Sequence, residues 1–81
     1  MQPNASDNEA EFMDLRGLKC PLPALFARRA LAQKPSGHAL RIVTDDPMAF
    51  IDVPHMCRDE GHEVVELARE GDVSRMLLRR G

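Results

Sequence analysis

Beyond a polar start, apolar residues fall into short blocks whose period switches between two and about 3.6 residues, with Gly, Pro and Asp between them. Phe12 to Leu15 has strand character, and Arg16 to Lys19 forms a loop in which Gly17 can adopt a positive φ. A helical pattern covers Pro21 to Lys34 and ends at Pro35-Ser36-Gly37. His38 to Thr44 reads as a strand, with Leu40 and Ile42 on one face and Val43 on the other. Asp45-Asp46-Pro47 is a turn and helix start, with Asp46 as N-cap and Pro47 in the first helical position. The second helix runs to Glu60 and stops at Gly61, a left-handed C-cap. Pro54 inside it frees the Phe50 carbonyl and predicts a kink, or a restart with Asp52 as a second N-cap. Glu63 to Ala68 and Val73 to Arg79 are strands joined by a hairpin turn over Arg69 to Asp72, with Gly71 at positive φ.

The order β-α-β-α-β-β predicts an α+β, two-layer sandwich: a four-stranded mixed sheet with both helices on one face. The crossovers join parallel strands with right-handed sense, and the last hairpin is antiparallel. In the first helix, Ala24, Ala27 and Leu31 suit close approach to the sheet. Leu22, Leu25 and Phe26 form a second apolar patch. With the small residues inward, Leu22 and Phe26 flank Cys20 on the surface. The alternative is one broad core face that includes Phe26.

Composition narrows the function. The chain has 81 residues, enough for one domain, expected over 12–81 after a disordered polar segment at 1–11. A net charge of -2, with no Trp or Tyr and only Phe12, Phe26 and Phe50 as aromatics, argues against direct nucleic-acid binding. No apolar run approaches the ~20 residues of a membrane span. The start lacks the basic-then-apolar order of a signal peptide, so a reducing cytoplasm is the expected compartment. Two cysteines make no disulfide framework.

The chemistry concentrates at Leu18-Lys19-Cys20-Pro21-Leu22-Pro23. With Cys20 as N-cap, Pro21 and Pro23 fall in the first turn, where a missing N–H costs nothing. The orphan donors near the sulfur are then the N–H groups of Leu22 and Ala24. Together with the helix start and the Lys19 cation, they are expected to lower the thiol pKa below the free value of about 8.5. The competing reading makes Cys20 a small buried residue, which would not require two prolines so placed.

Other candidates read as ordinary. Phe50, Val53 and Cys57 share one helix face, which assigns Cys57 to the core; the alternative is a resolving cysteine for Cys20. His38, His55 and His62 are too scattered for a zinc site, and no metal or cofactor is expected. His62 is expected to bond backbone near the helix end. Asp45 and Asp46 read as helix capping rather than as paired acid–base carboxylates. Arg28 and Arg29 form a solvated helix face, and Arg75, Arg79 and Arg80 a basic end.

Taken together, Asp14 to Pro23, Thr44 to Pro47, Asp52 to Cys57 and Gly61-His62-Glu63 resemble the TusA/SirA-like family of small sulfur carrier proteins, with its Cys-Pro-x-Pro signature. The resemblance covers Phe12 to Arg79. It implies a fold similar to the C-terminal domain of bacterial translation initiation factor three. It also implies that Cys20 holds sulfur as a persulfide, with Gly17, Pro21 and Pro23 shaping its loop. The family's donors are cysteine desulfurases or rhodanese-type proteins, and its acceptors serve tRNA thiolation, molybdenum-cofactor maturation or sulfur oxidation. Leu22 departs from the polar or acidic residue that many relatives place between the prolines, which bears on partner choice. Lys19, Leu22 and Phe26 are candidate docking residues. Transfer by thiol–disulfide-type exchange requires no base, metal or cofactor, and Leu22 and Ala24 N–H would stabilise the persulfide anion. The chain is expected to be a monomeric carrier with sulfurtransferase half-reactions. The alternative function is a protein- or RNA-binding module in which Cys20 is not chemically used; a thioredoxin-type dithiol pair is disfavoured by Pro23.

Overall fold

A computed structural model describes residues 10–81. Its elements are β1 (Glu11–Asp14), α1 (Leu22–Ala32), β2 (Ala39–Thr44), α2 (Ala49–Glu60), β3 (Glu63–Glu70) and β4 (Val73–Arg79). The order matches the pattern of the sequence, and the fold is the expected α+β sandwich. Most of the segment expected to be a disordered lead-in lies outside the described residues.

The sheet order is β1-β2-β4-β3. β1 and β2 are parallel, while β4 runs antiparallel to both β2 and β3. β3 therefore points the same way as β2, as a crossover strand should, but β4 inserts between them. The hairpin turn is tight, with Gly71 at φ 58°. A register shift between Val64 and Glu66 adds a bulge to the edge strand β3.

Alternation along the central strands builds the core. Leu40 and Ile42 of β2 stand opposite Leu78 and Met76 of β4, and all four are at most 1% exposed. Ala27 and Leu31 of α1 and Val53 and Cys57 of α2, each fully buried, close this layer. Burying one such Leu or Ile contributes about 1.5–3 kcal/mol. The small-residue face of α1 is thus the one turned inward, and Phe26 remains 37% exposed.

The opposite sheet face is charged. Arg41, Arg75 and Arg79 stand 3.9, 3.8 and 3.2 Å from Glu66, Glu70 and Glu63. These exposed pairs contribute little individually. Leu77 lies in register between Arg41 and Glu66 and is buried, covered by such long side chains.

Two expectations for α2 are corrected. Its N-cap is Met48, without a side-chain cap bond, because the Asp46 side chain is engaged elsewhere. The helix also runs unbroken through Pro54 rather than restarting, so Asp52 caps nothing and its own N–H bonds the Met48 carbonyl. Gly61, at φ 81°, ends the helix in the left-handed conformation expected, and the His62 N–H returns to the Cys57 carbonyl at 2.7 Å.

Candidate functional site

Because β1 and β2 are parallel and each feeds a helix, both helix starts lie at one edge of the sheet. The loop carrying Cys20 follows β1, and Asp45 and Asp46 follow β2. The Leu15 N–H extends the strand pairing by one bond to the Val43 carbonyl, at 2.8 Å. The chain then turns at Gly17, whose φ of 87° is open to glycine at no steric cost. The Asp14 carboxylate holds the Arg16 guanidinium at 2.8 and 2.9 Å and its backbone N–H at 3.1 Å. Those bonds pull the Asp14 pKa down to about 2.

Asp45 and Asp46 pin the loop from the other side. Asp45 accepts the Gly17 N–H at 2.9 Å, and the mostly buried Asp46 accepts the Cys20 N–H at 2.6 Å. Neither side chain caps its own helix, which corrects the expected capping role. Hydrogen bonds to a carboxylate are the stronger kind, worth about 1.5–3 kcal/mol each. Their acceptors lie 28 and 26 residues away in sequence, so the loop is held by tertiary contacts.

Cys20 itself is exposed, and its Sγ lies 2.7 Å from Asp52 Oδ2 in the first turn of α2. The N-cap of α1 is Pro21, not Cys20, which puts Leu22 at the first helical position and the buried Pro23 at the second. The Leu22 N–H, expected to face the sulfur, instead donates to the Lys19 carbonyl at 2.8 Å, closing a turn around Cys20. Leu25 bonds the Pro21 carbonyl at 3.1 Å. Of the two expected donors, only the Ala24 N–H has no backbone acceptor among the described residues. Lys19 is exposed and forms no ion pair among them.

The electrostatics reverse a further expectation. The Cys20 thiol is pushed above its ordinary range, first by the hydrogen bond to Asp52, then by partial desolvation, then by the Asp52 and Asp46 charges. A carboxylate that accepts S–H favours the thiol over the thiolate. The helix start and Lys19 favour the thiolate, but two carboxylates arriving from the next β-α unit outweigh them. Asp46 and Asp52 are the site residues missed, and the shared edge of two consecutive parallel β-α units was the signal that pointed to them.

Cys57 is free and fully buried, and burial pushes its thiol up to about 11. It forms no disulfide with Cys20. His62 Nδ1 accepts the Gly81 backbone N–H at 3.0 Å, a structural tie. No cluster of potential metal ligands occurs among the described residues, and no helix among them is long and apolar enough to cross a membrane. Beside Cys20, Leu22, Leu25 and Phe26 are 41%, 46% and 37% exposed. A groove of about 260 Å³ runs from Pro21 between the helices, lined by Ala24, Leu25 and Arg28 of α1 and by Asp52, His55 and Met56 of α2.

This two-layer sandwich with a pinned surface thiol at a helix start defines a class of small thiol-bearing domains. The chain belongs to the TusA sulfurtransferase family, whose sequence profile matches residues 11–80. Two proteins of Neisseria meningitidis, from serogroups A and B, are each 36% identical over 70 residues, spanning 86% of this chain and 95% of theirs. Both are named as candidate sulfur carrier proteins. The crystal structure of a SirA-like protein from Desulfitobacterium hafniense superposes with a TM-score of 0.74 at 22% identity, covering 86% of this chain and 96% of that one. That likeness establishes the fold.

Proposed function

We propose that the chain is a sulfur carrier whose Cys20 holds one sulfur atom as a persulfide. A donor protein of cysteine desulfurase or rhodanese type loads it, and an acceptor protein removes it, in a reducing compartment where Cys20 stays a thiol. The observation that carries this reading is the exposed Cys20 thiol on a loop pinned by Asp45 and Asp46. A carrier must present its sulfur to two partners in turn, and an exposed thiol on a hydrogen-bonded loop before a helix does so. The Ala24 N–H is the first-turn donor left for the outer sulfur. Leu22, Leu25 and Phe26 form an apolar collar for partner docking, with Lys19 at its edge. The family membership and the names of the meningococcal relatives support the same reading.

Intact-mass spectrometry after incubation with an active desulfurase and cysteine tests it. The wild-type chain gains one sulfur on Cys20, reducible by dithiothreitol, and Cys20→Ser gains none. No adduct on the wild-type chain, or an adduct that survives Cys20→Ser, refutes the carrier reading and favours a binding module in which the thiol is incidental.

A further inference from the structure

We propose that Asp52 is the proton partner of Cys20 in sulfur transfer: it takes the thiol proton as Sγ attacks and returns it to the leaving thiolate. The inference rests on the carrier reading and adds a residue to it. Its basis is geometric. Asp52 Oδ2 is 2.7 Å from Sγ, while the Cys20 N–H is anchored separately on Asp46. The loop is therefore fixed without Asp52, which leaves that carboxylate free to act on the sulfur. Asp52 sits in a continuous helix whose next turn, Val53, Met56 and Cys57, is locked in the core, so its approach to Sγ is built in.

The step balances without an external oxidant or reductant. A donor R–S–S–H meets the Cys20 thiol. The bond from Sγ to the donor's outer sulfur forms as the donor S–S bond breaks, and R–S⁻ leaves. The proton that Asp52 received from Sγ passes to R–S⁻, giving R–SH and Cys20–S–S–H. The outer sulfur moves between two thiols at unchanged oxidation state. The resting thiol is held protonated by the same carboxylate, so a proton acceptor within bonding distance answers a need that this site creates.

The charged groups around the pair are Lys19 on the Cys20 loop, Asp46 before α2, Arg28 on α1, and His55, Asp59 and Glu60 on α2. Of these, His55 is the imidazole lining the same groove, so it has its own control.

The test measures persulfide loading of the full chain by glutathione persulfide between about pH 5.5 and 7.5, as the ratio of variant to wild-type rate, which cancels titration of the reagent. In the wild type Asp52 accepts the Cys20 proton within the hydrogen-bonded pair, so attack does not wait for that proton to be lost to solvent. In Asp52→Asn only the free thiolate reacts, so the ratio rises by about tenfold per pH unit until the thiol itself ionises. The thiolate ultraviolet band of Asp52→Asn titrates at lower pH than that of wild type. Asp52→Glu, which keeps the carboxylate, restores a pH-independent ratio at a reduced rate, and His55→Gln leaves the ratio flat. A flat ratio in Asp52→Asn, or a slope that moves with His55→Gln instead, overturns the inference while the carrier reading stands. A wild-type chain that accepts no sulfur overturns the carrier reading, and the inference with it.

Discussion

The two cysteines occupy opposite environments in one small domain. Cys20 is exposed on a loop at the sheet edge, facing carboxylates, whereas Cys57 is sealed in the core between α2 and the sheet. Both thiols are held protonated, but for different reasons: Cys20 chiefly by a hydrogen bond to Asp52, Cys57 by desolvation. The first cause can be lifted by a proton transfer or a docking partner. The second is lifted only by opening the fold. Exposure together with a removable cause of protonation makes a thiol usable, and a raised pKa alone does not make it inert.

The sharpest way to break this contrast is to label both thiols. In the native chain, a neutral alkylating reagent should modify Cys20 at least about a hundredfold faster than Cys57, because Cys57 waits for near-global opening. In denaturant the two rates should converge. Comparable native rates, read by peptide mass spectrometry, would end the comparison.

Alkaline pH sharpens it next. The folded-state pKa of Cys57 is raised from 9.0 to about 11, so the native state holds a proton that the unfolded chain releases. Its contribution is complete below about pH 9 and is lost as pH rises towards 11, amounting to about 3 kcal/mol across that window. Urea unfolding should register the loss in wild type, and Cys57→Ala should lack it.

Substitution separates the two sites by stability. Cys57→Ser places a hydroxyl in an apolar pocket and should cost about 1–3 kcal/mol, while the exposed Cys20→Ser should leave the urea midpoint unchanged. A comparable but local effect is expected at the loop anchor. Asp46→Ala leaves the Cys20 N–H without its acceptor and should cost about 1.5–3 kcal/mol, with faster amide exchange confined to the Cys20 loop. Exchange unchanged there would mean the loop is not held by Asp46. The exposed Asp14–Arg16 pair should matter least, with the urea midpoint of Asp14→Asn matching that of wild type above pH 4.

Much of this architecture is legible in one dimension. The periodic blocks, the glycines at Gly17, Gly61 and Gly71, and the alternation of Leu40 and Ile42 mark the elements and the face that packs. These are local signals: turn conformation depends on adjacent residues, and side-chain period on the element itself. The position of Cys20 beside Pro21 and Pro23 also singles out the candidate carrier thiol before any fold is known. The small-residue stripe Ala24, Ala27 and Leu31 points α1 inward, although the competing broad face with Phe26 is excluded only by the packed helix.

What tertiary structure alone decided is how the ends of the elements meet. The sequence determined that a thiol begins one helix and that acidic residues surround the start of the next. Whether Asp46 would cap its own helix or hold the Cys20 N–H depended on which donor lay closer in space, and the shared edge of β1 and β2 settled that competition in favour of the neighbouring loop. The same juxtaposition carried Asp52 to the sulfur across 32 residues of chain and reversed the ionisation expected from the helix start. Charge acts through distance, and distances between segments far apart in sequence are fixed only once the sheet has aligned them.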